Sequence, residues 1–198
     1  MIDTLIFDLG NVIVDFIPRS IYEKATGSTS DGQLLYDLFM SSGIWHELDR
    51  GIPLEQVITL TSQKAPQHLH EAIAYVVHNW HDDLVLNTEM ASYIKQLQVD
   101  FNVYLLSNVS KQFHDFRDRF SILDSFDGLY ISADTKLLKP NIEIYEDFLT
   151  TFSLQPQQCF FIDDKEENIL GAKQIGIKGH VFDQDIEALK KAIYEISS

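Results

Sequence analysis

The chain has 198 residues and a formal net charge of −15, and apolar residues make up 45% of it. This length suits one domain, or one domain with a small insertion, and the apolar share argues against disorder. The acidic balance argues against nucleic acid and anionic membranes as partners, because both require a basic surface. No apolar run approaches the roughly 18 residues that a membrane span needs. Asp3 lies at an N-terminus without a basic region, so we expect no signal peptide and a cytoplasmic location.

The first predicted strand runs from about Ile2 to Asp8 and ends in a single carboxylate. An apolar, β-branched run before the Gly10-Asn11 turn is typical of a fully buried strand in a parallel sheet. Asp8 is then expected at the carboxyl end of this strand, where open α/β sheets bind their ligands. The alternative at this position is a carboxylate that only caps the following turn.

Residues 19–83 show apolar residues at helical spacing and no strand pattern. The predicted helices and the short element between them are Leu34–Phe39, Trp45–Gly51, Pro53–Thr61 and Gln67–Trp80. We therefore expect a helical insertion over residues 17–83 and a sheet domain formed by residues 1–16 and 84–198. An insertion at the carboxyl end of a strand overhangs any site there, although a helical subdomain without substrate contact remains the alternative.

Strands and helices alternate from residue 84 onward, which predicts a doubly wound, Rossmann-like parallel sheet of the α/β class. The predicted helices are Thr88–Leu97, Ser110–Phe120, Asn141–Phe152, Glu166–Ile175 and Ile186–Ile196. The predicted strands are Phe101–Ser107, Phe126–Ser132, Phe160–Asp163 and a short one that ends at Val181-Phe182. Cys159 is the single cysteine, and its buried strand predicts an inert core thiol.

Polar residues follow the ends of three predicted buried strands, and a lysine before a proline joins them. These residues are Asp8; Ser107 and Asn108; Asp163 and Asp164, with Asn168 one helical turn later; and Lys139 before Pro140. Parallel strands place their carboxyl ends on the same side of a sheet. Together the residues offer a nucleophile, a hydroxyl donor, a cation and a carboxylate pair suited to a metal, although each alone could be a turn former, a helix cap or a solvated lysine.

In order and spacing, these motifs resemble those of the haloacid dehalogenase (HAD) superfamily of phosphohydrolases over nearly the whole chain. The Asp-Leu-Gly-Asn-Val run that begins at Asp8 is similar to the opening of the subfamily IA-like bacterial sugar-phosphate (glucose-1-phosphate) phosphatases. The resemblance implies a Rossmann-like core with a small inserted helical cap. It also implies Mg²⁺-dependent hydrolysis of the phosphate monoester of a small metabolite, such as a sugar phosphate.

The resemblance also implies roles for individual residues. It assigns Asp8 as the nucleophile that forms an aspartyl-phosphate, and it assigns the Mg²⁺ ligands to Asp8, the backbone carbonyl of Gly10, and Asp164. Ser107 and the backbone of Asn108 are expected to hold phosphoryl oxygens, and Lys139, with Lys136 as a rival, to neutralise phosphate and orient the nucleophile. The spacing to Asn168 aligns Asp164 with the principal metal ligand, which leaves Asp163 and Asn168 to support the ligands from behind.

Gly10 is a departure from the family pattern, because most phosphatases of the superfamily have an aspartate general acid/base two residues after the nucleophile. Loss of a positioned acid/base typically lowers the rate by about 10²–10⁴-fold. We therefore expect substrates with good leaving groups, such as sugar 1-phosphates, and a proton from water, Asp15 or His46.

Two other functions remain open from the sequence: a metal-independent haloacid dehalogenase on the same fold, and a catalytically weak phosphate-binding protein. Dehalogenases also lack the second aspartate, but they need no metal site, so the pair Asp163-Asp164 favours the phosphatase. The sequence does not indicate an oligomeric state.

Overall fold

The computed structural model describes residues 1–16 and 18–197, apart from the side chains of Pro18 and Ser197. Its strands in chain order are β1 (Thr4–Phe7), β2 (Val14–Asp15), β3 (Val85–Leu86), β4 (Asn102–Ser107), β5 (Gly128–Ile131), β6 (Cys159–Asp163) and β7 (Lys178–Val181). Five of them form one sheet in the order β5-β4-β1-β6-β7, and every neighbouring pair in it is parallel. This order confirms the predicted doubly wound α/β sheet and places β1 at its centre.

Helices connect the strands from β2 onward. In order they are α1 (Pro18–Thr26), α2 (Thr29–Ser41), α3 (Ile44–Asp49), α4 (Leu54–Ser62), α5 (His70–Asn79), α6 (Thr88–Leu97), α7 (Phe113–Phe116), α8 (Ser132–Thr135), α9 (Ile142–Phe152), α10 (Glu166–Lys173) and α11 (Ile186–Ser197). Within residues 1–16 and 18–197, none of these helices is both long and apolar enough to cross a membrane.

Alternate side chains of β1 enter two separate hydrophobic cores. Leu5 and Phe7 pack into a cluster that includes buried residues of α6 and α11, whereas Ile6 packs into a cluster with buried residues of α9 and α10. Because successive side chains of a strand point to opposite faces, this division shows that helices cover both faces of the sheet. The central strand is therefore buried on both sides, and Asp8 directly follows its carboxyl end.

Helices α1 to α5 lie in sequence between β2 and β3, which pair antiparallel through Val14 and Leu86. Trp80 follows α5 and joins this helical segment to the sheet region, because its ring lies 5.6 Å from that of Phe116 and its Nε1 donates to Gln112 Oε1 at 2.9 Å. The predicted division at residues 17–83 remains a prediction, and its first residue, Ile17, lies outside the described residues.

The predicted helix over Ser110–Phe120 is wrong in length, since α7 covers only Phe113–Phe116 and a 3-10 turn follows at Arg117–Arg119. Ser110 does not cap this helix, because its hydroxyl donates to Gln112 Oε1 at 3.2 Å. The buried Gln112 side chain also donates to two backbone carbonyls at the end of α5, at 3.2 and 3.1 Å. These long-range hydrogen bonds fix the position of Gln112, which directly precedes the first residue of α7.

Candidate active site

Asp8 directly follows β1, and its backbone N–H donates to the carbonyl of Ile162 in the neighbouring β6 at 2.9 Å. Lys139 Nζ lies 2.8 Å from Asp8 Oδ1. Burial raises the pKa of Asp8 to about 6; Lys139 lowers it, while Asp163 and Asp164 raise it further. A carboxyl in this setting depends on nearby positive charge to be an anion at neutral pH.

The Lys139 ammonium is buried, with 1% of its side chain exposed, and three oxygens surround it. Its Nζ donates to the Leu106 carbonyl at 2.9 Å and to Asp163 Oδ2 at 2.7 Å, and it also pairs with Asp8. Burial lowers the pKa of Lys139, but the two carboxylates outweigh burial and raise it overall. The Asn108 amide bonds the backbone N–H and carbonyl of Lys139, both at 3.0 Å, so the lysine is a fixed cation.

Asp163 is fully buried, and hydrogen bonds occupy both of its carboxylate oxygens. Oδ1 accepts from the backbone N–H of Lys165 at 2.8 Å and from Asn168 Nδ2 at 2.9 Å. Oδ2 accepts from Lys139 Nζ at 2.7 Å and again from Asn168 at 3.0 Å. A carboxylate has about four acceptor sites, so Asp163 is placed to orient Lys139 and Asn168 and not to offer a free oxygen.

Asp8, Asp163 and Asp164 form an acidic cluster whose ligand oxygens lie within 4.8 Å of one another. Asp8 Oδ1 is buried, and within the described residues it accepts no hydrogen bond, although Lys139 lies in ion-pair contact with it. Asp164 is half-buried, and its Oδ2 accepts from Asn11 Nδ2 at 3.0 Å. Clustered acids repel unless a cation lies among them, and hard oxygen donors suit Mg²⁺. The donor set therefore fits a magnesium ion, with Asp8 and Asp164 as the carboxylates that remain available.

Several polar groups without an internal partner surround Asp8. In the part of the chain that the structure describes, no hydrogen bond uses the Ser107 hydroxyl, the backbone N–H of Asn108 or the backbone carbonyl of Gly10. All three residues line the same cavity as Asp8. The Ser107 hydroxyl and the Asn108 N–H can therefore donate hydrogen bonds to an anionic ligand. The Gly10 carbonyl oxygen can ligate a cation.

The cavity above Asp8 has a volume of about 280 Å³. The inserted helices supply Met40 from α2 and Trp45, His46 and Asp49 from α3 to its lining. Phe16 also lines it, and its ring stacks on that of Trp45 at 6.0 Å with an interplanar angle of 28°. The cavity thus combines a charged floor at the sheet with a helical wall that carries apolar Met40 and Trp45 beside polar His46 and Asp49.

Asp49 is a site residue that the sequence reasoning missed. Its side chain lines the cavity although the residue is only 7% exposed. Helical spacing of the apolar Ile44 and Leu48 was a weak signal, because it places the buried face of α3 next to Asp49. Of the two residues considered as proton sources, His46 lines the cavity but is exposed, and Asp15 is not among the residues that line it.

Asn11 was predicted only as part of a turn, and its side chain has a further structural role. Besides its bond to Asp164, its Oδ1 accepts from the backbone N–H of Phe16 at 3.1 Å. Its φ of 55° lies in the left-handed region that Asn tolerates better than most residues. By contrast, the rival lysine Lys136 is exposed and does not line the cavity.

Comparison with known proteins identifies a family for this chain. A family model described as haloacid dehalogenase-like hydrolase matches residues 45–181. The sesquiterpene phosphatase astK of Aspergillus oryzae is 32% identical over 95 residues, which cover 47% of this chain and 48% of that protein. The D-ribitol-5-phosphate phosphatase of Bacteroides thetaiotaomicron is 25% identical over 188 residues, which cover 90% of each protein.

A crystal structure of a HAD family enzyme from Bacteroides thetaiotaomicron, in complex with magnesium and inorganic phosphate, gives a TM-score of 0.71 at 24% identity. The match covers 91% of this chain and 93% of that one, and at this identity it shows a shared fold. The chain spans about half the length of the fungal sesquiterpene phosphatase.

Proposed function

Because the chain belongs to the haloacid dehalogenase-like hydrolase family, we propose that it is a Mg²⁺-dependent phosphatase of small phosphate monoesters. The observation that carries the proposal is the Asp8 carboxyl, which lies 2.8 Å from a buried lysine at the floor of the cavity and within an acidic cluster. An oxygen nucleophile, a fixed cation and a cation-binding carboxylate cluster are the groups that phosphoryl transfer requires.

In this mechanism the Asp8 carboxylate attacks phosphorus, and the bond from phosphorus to the ester oxygen breaks. The product is an aspartyl-phosphate on Asp8, which water then hydrolyses to release inorganic phosphate. Lys139 holds Asp8 in position and offsets part of the added negative charge. Ser107 Oγ and the Asn108 N–H are placed to donate hydrogen bonds to phosphoryl oxygens and so stabilise the transferred group.

Asp8, the Gly10 carbonyl and Asp164 would hold the magnesium ion, and Asp163 and Asn168 support that arrangement through their hydrogen bonds. When bound, the ion supplies neutralisation of the phosphoryl charge. Asn11 restrains Asp164 through its 3.0 Å hydrogen bond, which limits the rotation of this ligand.

We propose a sugar phosphate or a similar small metabolite as the substrate, and residues 17–83 as a cap over the cavity. A volume of about 280 Å³ suits a small ester, and α3 brings Trp45 and Asp49 to the cavity wall. Relatives named for ribitol 5-phosphate and for sesquiterpene substrates support the class of phosphorylated small molecules. The cytoplasmic location, and the absence of nucleic-acid and membrane partners, remain predictions from the sequence.

Phosphate release from a panel of phosphorylated metabolites and p-nitrophenyl phosphate tests this proposal. We expect hydrolysis that requires Mg²⁺ and stops when a chelator removes it. Chloride release from 2-chloropropionate without metal would instead identify a dehalogenase, the alternative on the same fold. Saturable phosphate binding without turnover of any panel member would identify a binding protein. The Asp163-Asp164 pair favours the phosphatase over both alternatives, because neither of them needs a metal-binding cluster.

A further inference from the structure

The Asp49 carboxyl is a buried acid that the mechanism above does not use. The residue is 7% exposed and lines the same cavity as Asp8 and Gly10, which it reaches from the inserted helix α3. Within the described residues no hydrogen bond reaches this carboxyl, whereas Asp163 receives four. A buried polar group normally has a partner, so an unpaired carboxyl that faces a cavity indicates a group that meets a ligand there.

The backbone around Asp49 is held firmly against the sheet domain. The Ser132 hydroxyl donates to the Asp49 carbonyl at 2.7 Å and accepts from the Val109 N–H at 3.0 Å. Gly51 has a φ of +81°, and a Cβ there would lie 2.5 Å from the Ala133 carbonyl oxygen, so only glycine permits this close approach. Asp49 is therefore positioned relative to Val109, which lies just beyond Ser107 and Asn108.

The surroundings of Asp49 favour its neutral, proton-carrying form. Burial raises its pKa well above the usual range, Lys165 and Lys139 act to lower it, and the Asp8 charge raises it. His46 on the same helix and Asp164 on the cavity floor also line the cavity that Asp49 faces. A carboxyl with a raised pKa remains able to donate a proton near neutral pH.

We propose that Asp49 is the general acid and base of the phosphatase reaction, in place of the carboxylate that Gly10 lacks; this inference rests on the proposed function. As Asp8 bonds to phosphorus and the ester bond breaks, Asp49 donates its proton to the departing alcohol oxygen and becomes a carboxylate. It then takes a proton from the water that attacks the aspartyl-phosphate. Hydrolysis restores both Asp8 and the neutral Asp49.

The substrate class follows from this assignment. Charge runs onto the leaving oxygen in phosphoryl transfer, so an acid matters most when that oxygen is strongly basic. With Asp49 in place, the enzyme accepts esters of ordinary alcohols as well as aryl and anomeric phosphates. Gly10 alone predicts that kcat/KM falls steeply as the leaving group becomes more basic. With Asp49 as the acid, this fall is shallow in the wild type.

The test is kcat/KM for a series of phosphate monoesters that runs from p-nitrophenyl phosphate to a primary alkyl phosphate. We expect Asp49→Asn to lower the value for the alkyl ester by about 10²–10⁴-fold and the value for the aryl ester by only a few-fold. Glu47→Gln, which removes a carboxyl of the same helix that pairs with Arg50, is the matched control and leaves both values unchanged. His46→Gln tests the rival proton donor. We expect this variant to keep a shallow slope of kcat/KM against the pKa of the leaving group.

A second variant separates proton donation from a structural role. A Cβ at Gly10 would meet nothing within 4 Å, so Gly10→Asp fits the cavity and places an acid at the usual family position. Added to Asp49→Asn, it should restore the shallow slope.

Equal losses for aryl and alkyl esters in Asp49→Asn, or a steep slope in His46→Gln, would overturn the role of Asp49. If Asp49→Asn does not fold, the slope of the wild-type enzyme is the test. A steep slope in the wild type would exclude any positioned acid and so overturn the role of Asp49. If the wild type hydrolyses no monoester with Mg²⁺, the proposed function itself fails, and the inference fails with it.

Discussion

Asp163 at the sheet end of the cavity and Asp49 at its helical end are both buried, but their carboxyl groups differ in their hydrogen bonds. At the sheet end, Asp163 is fully buried with both oxygens hydrogen-bonded, and Lys139 contacts three oxygens. At the helical end, Asp49 is nearly as buried but has no hydrogen bond to its carboxyl among the described residues. A saturated network fixes charge and geometry, whereas an unpaired carboxyl keeps its proton free to move at a cost in stability. In the proposed mechanism, this difference separates the groups that would hold phosphate from the group that would transfer a proton.

Removing the charge that the sheet end is built around should give the largest effect. Lys139→Met leaves Asp8 and Asp163 buried without their cation, and breaking a buried ion pair in this way typically costs about 3–5 kcal/mol. We expect loss of turnover together with a large drop in the free energy of unfolding, measured by urea titration. The exposed Lys136→Met is the control and should change neither quantity. A folded, fully active Lys139→Met enzyme would contradict the role of this lysine.

The two adjacent carboxylates should separate in a metal titration. Asp164→Ala removes a carboxylate that remains available at the cluster, so the affinity for Mg²⁺ should fall more than in Asp163→Ala. Asp163→Ala should instead lower the free energy of unfolding more, because it removes the partner of Lys139 and Asn168. Calorimetric Mg²⁺ titration and thermal melts of both variants measure these quantities. A larger loss of affinity in Asp163→Ala would reverse the assignment of the metal ligand.

The docking of α3 can be weakened at Gly51, a residue that does not line the cavity. Gly51→Ala forces a Cβ against the Ala133 carbonyl at a residue with positive φ, whereas Gly43→Ala has a positive φ but no neighbour within 4 Å. Both variants carry the left-handed penalty of about 1–2 kcal/mol, and only the first adds a clash. We expect urea titration to show a greater loss of stability for Gly51→Ala. Equal losses would mean that α3 does not depend on this close approach.

The smallest effect should be a gain in the stability of Asp49→Asn relative to the wild type as the pH rises. Because the pKa of Asp49 is raised in the folded protein, wild-type stability falls as pH rises from about 4, the unfolded pKa, through the folded pKa. Asparagine cannot ionise, so Asp49→Asn loses this dependence. Melting temperatures in chelator at pH 4 and pH 8 should show a difference that shifts in favour of the variant at the higher pH. If the difference in melting temperature between the variant and the wild type does not change with pH, the raised pKa of Asp49 is contradicted.

The sheet end was largely predictable from the sequence, because its polar residues directly follow buried strands. Asp8, Ser107 and Asp164 each come at or just after a strand end, and parallel strands bring such ends together. The helical end was not predictable in the same way. The bond that fixes Asp49 joins it to Ser132 across 83 positions, and the approach of Gly51 to Ala133 leaves no periodic signal.

Local periodicity also failed where a distant contact decides the structure. Apolar spacing over Ser110–Phe120 favours a helix, but Gln112 is held by the end of α5 and by Trp80, so α7 begins only at Phe113. Asn11 is similar, since its turn was predictable and its bond to Asp164 across 153 positions was not. Contacts of this range follow from the packing of the inserted helices and loops onto the sheet.

In the proposed mechanism, Asp8 becomes phosphorylated during turnover. Rapid acid quench of the wild-type enzyme with Mg²⁺ and p-nitrophenyl phosphate, followed by peptide mass spectrometry, should find one phosphoryl group on Asp8. Asp8→Asn, which keeps the size of the side chain but removes the nucleophile, should show neither the phosphopeptide nor phosphate release while its melting curve stays cooperative. Hydrolysis by Asp8→Asn at a wild-type rate would contradict the role of Asp8 as the nucleophile.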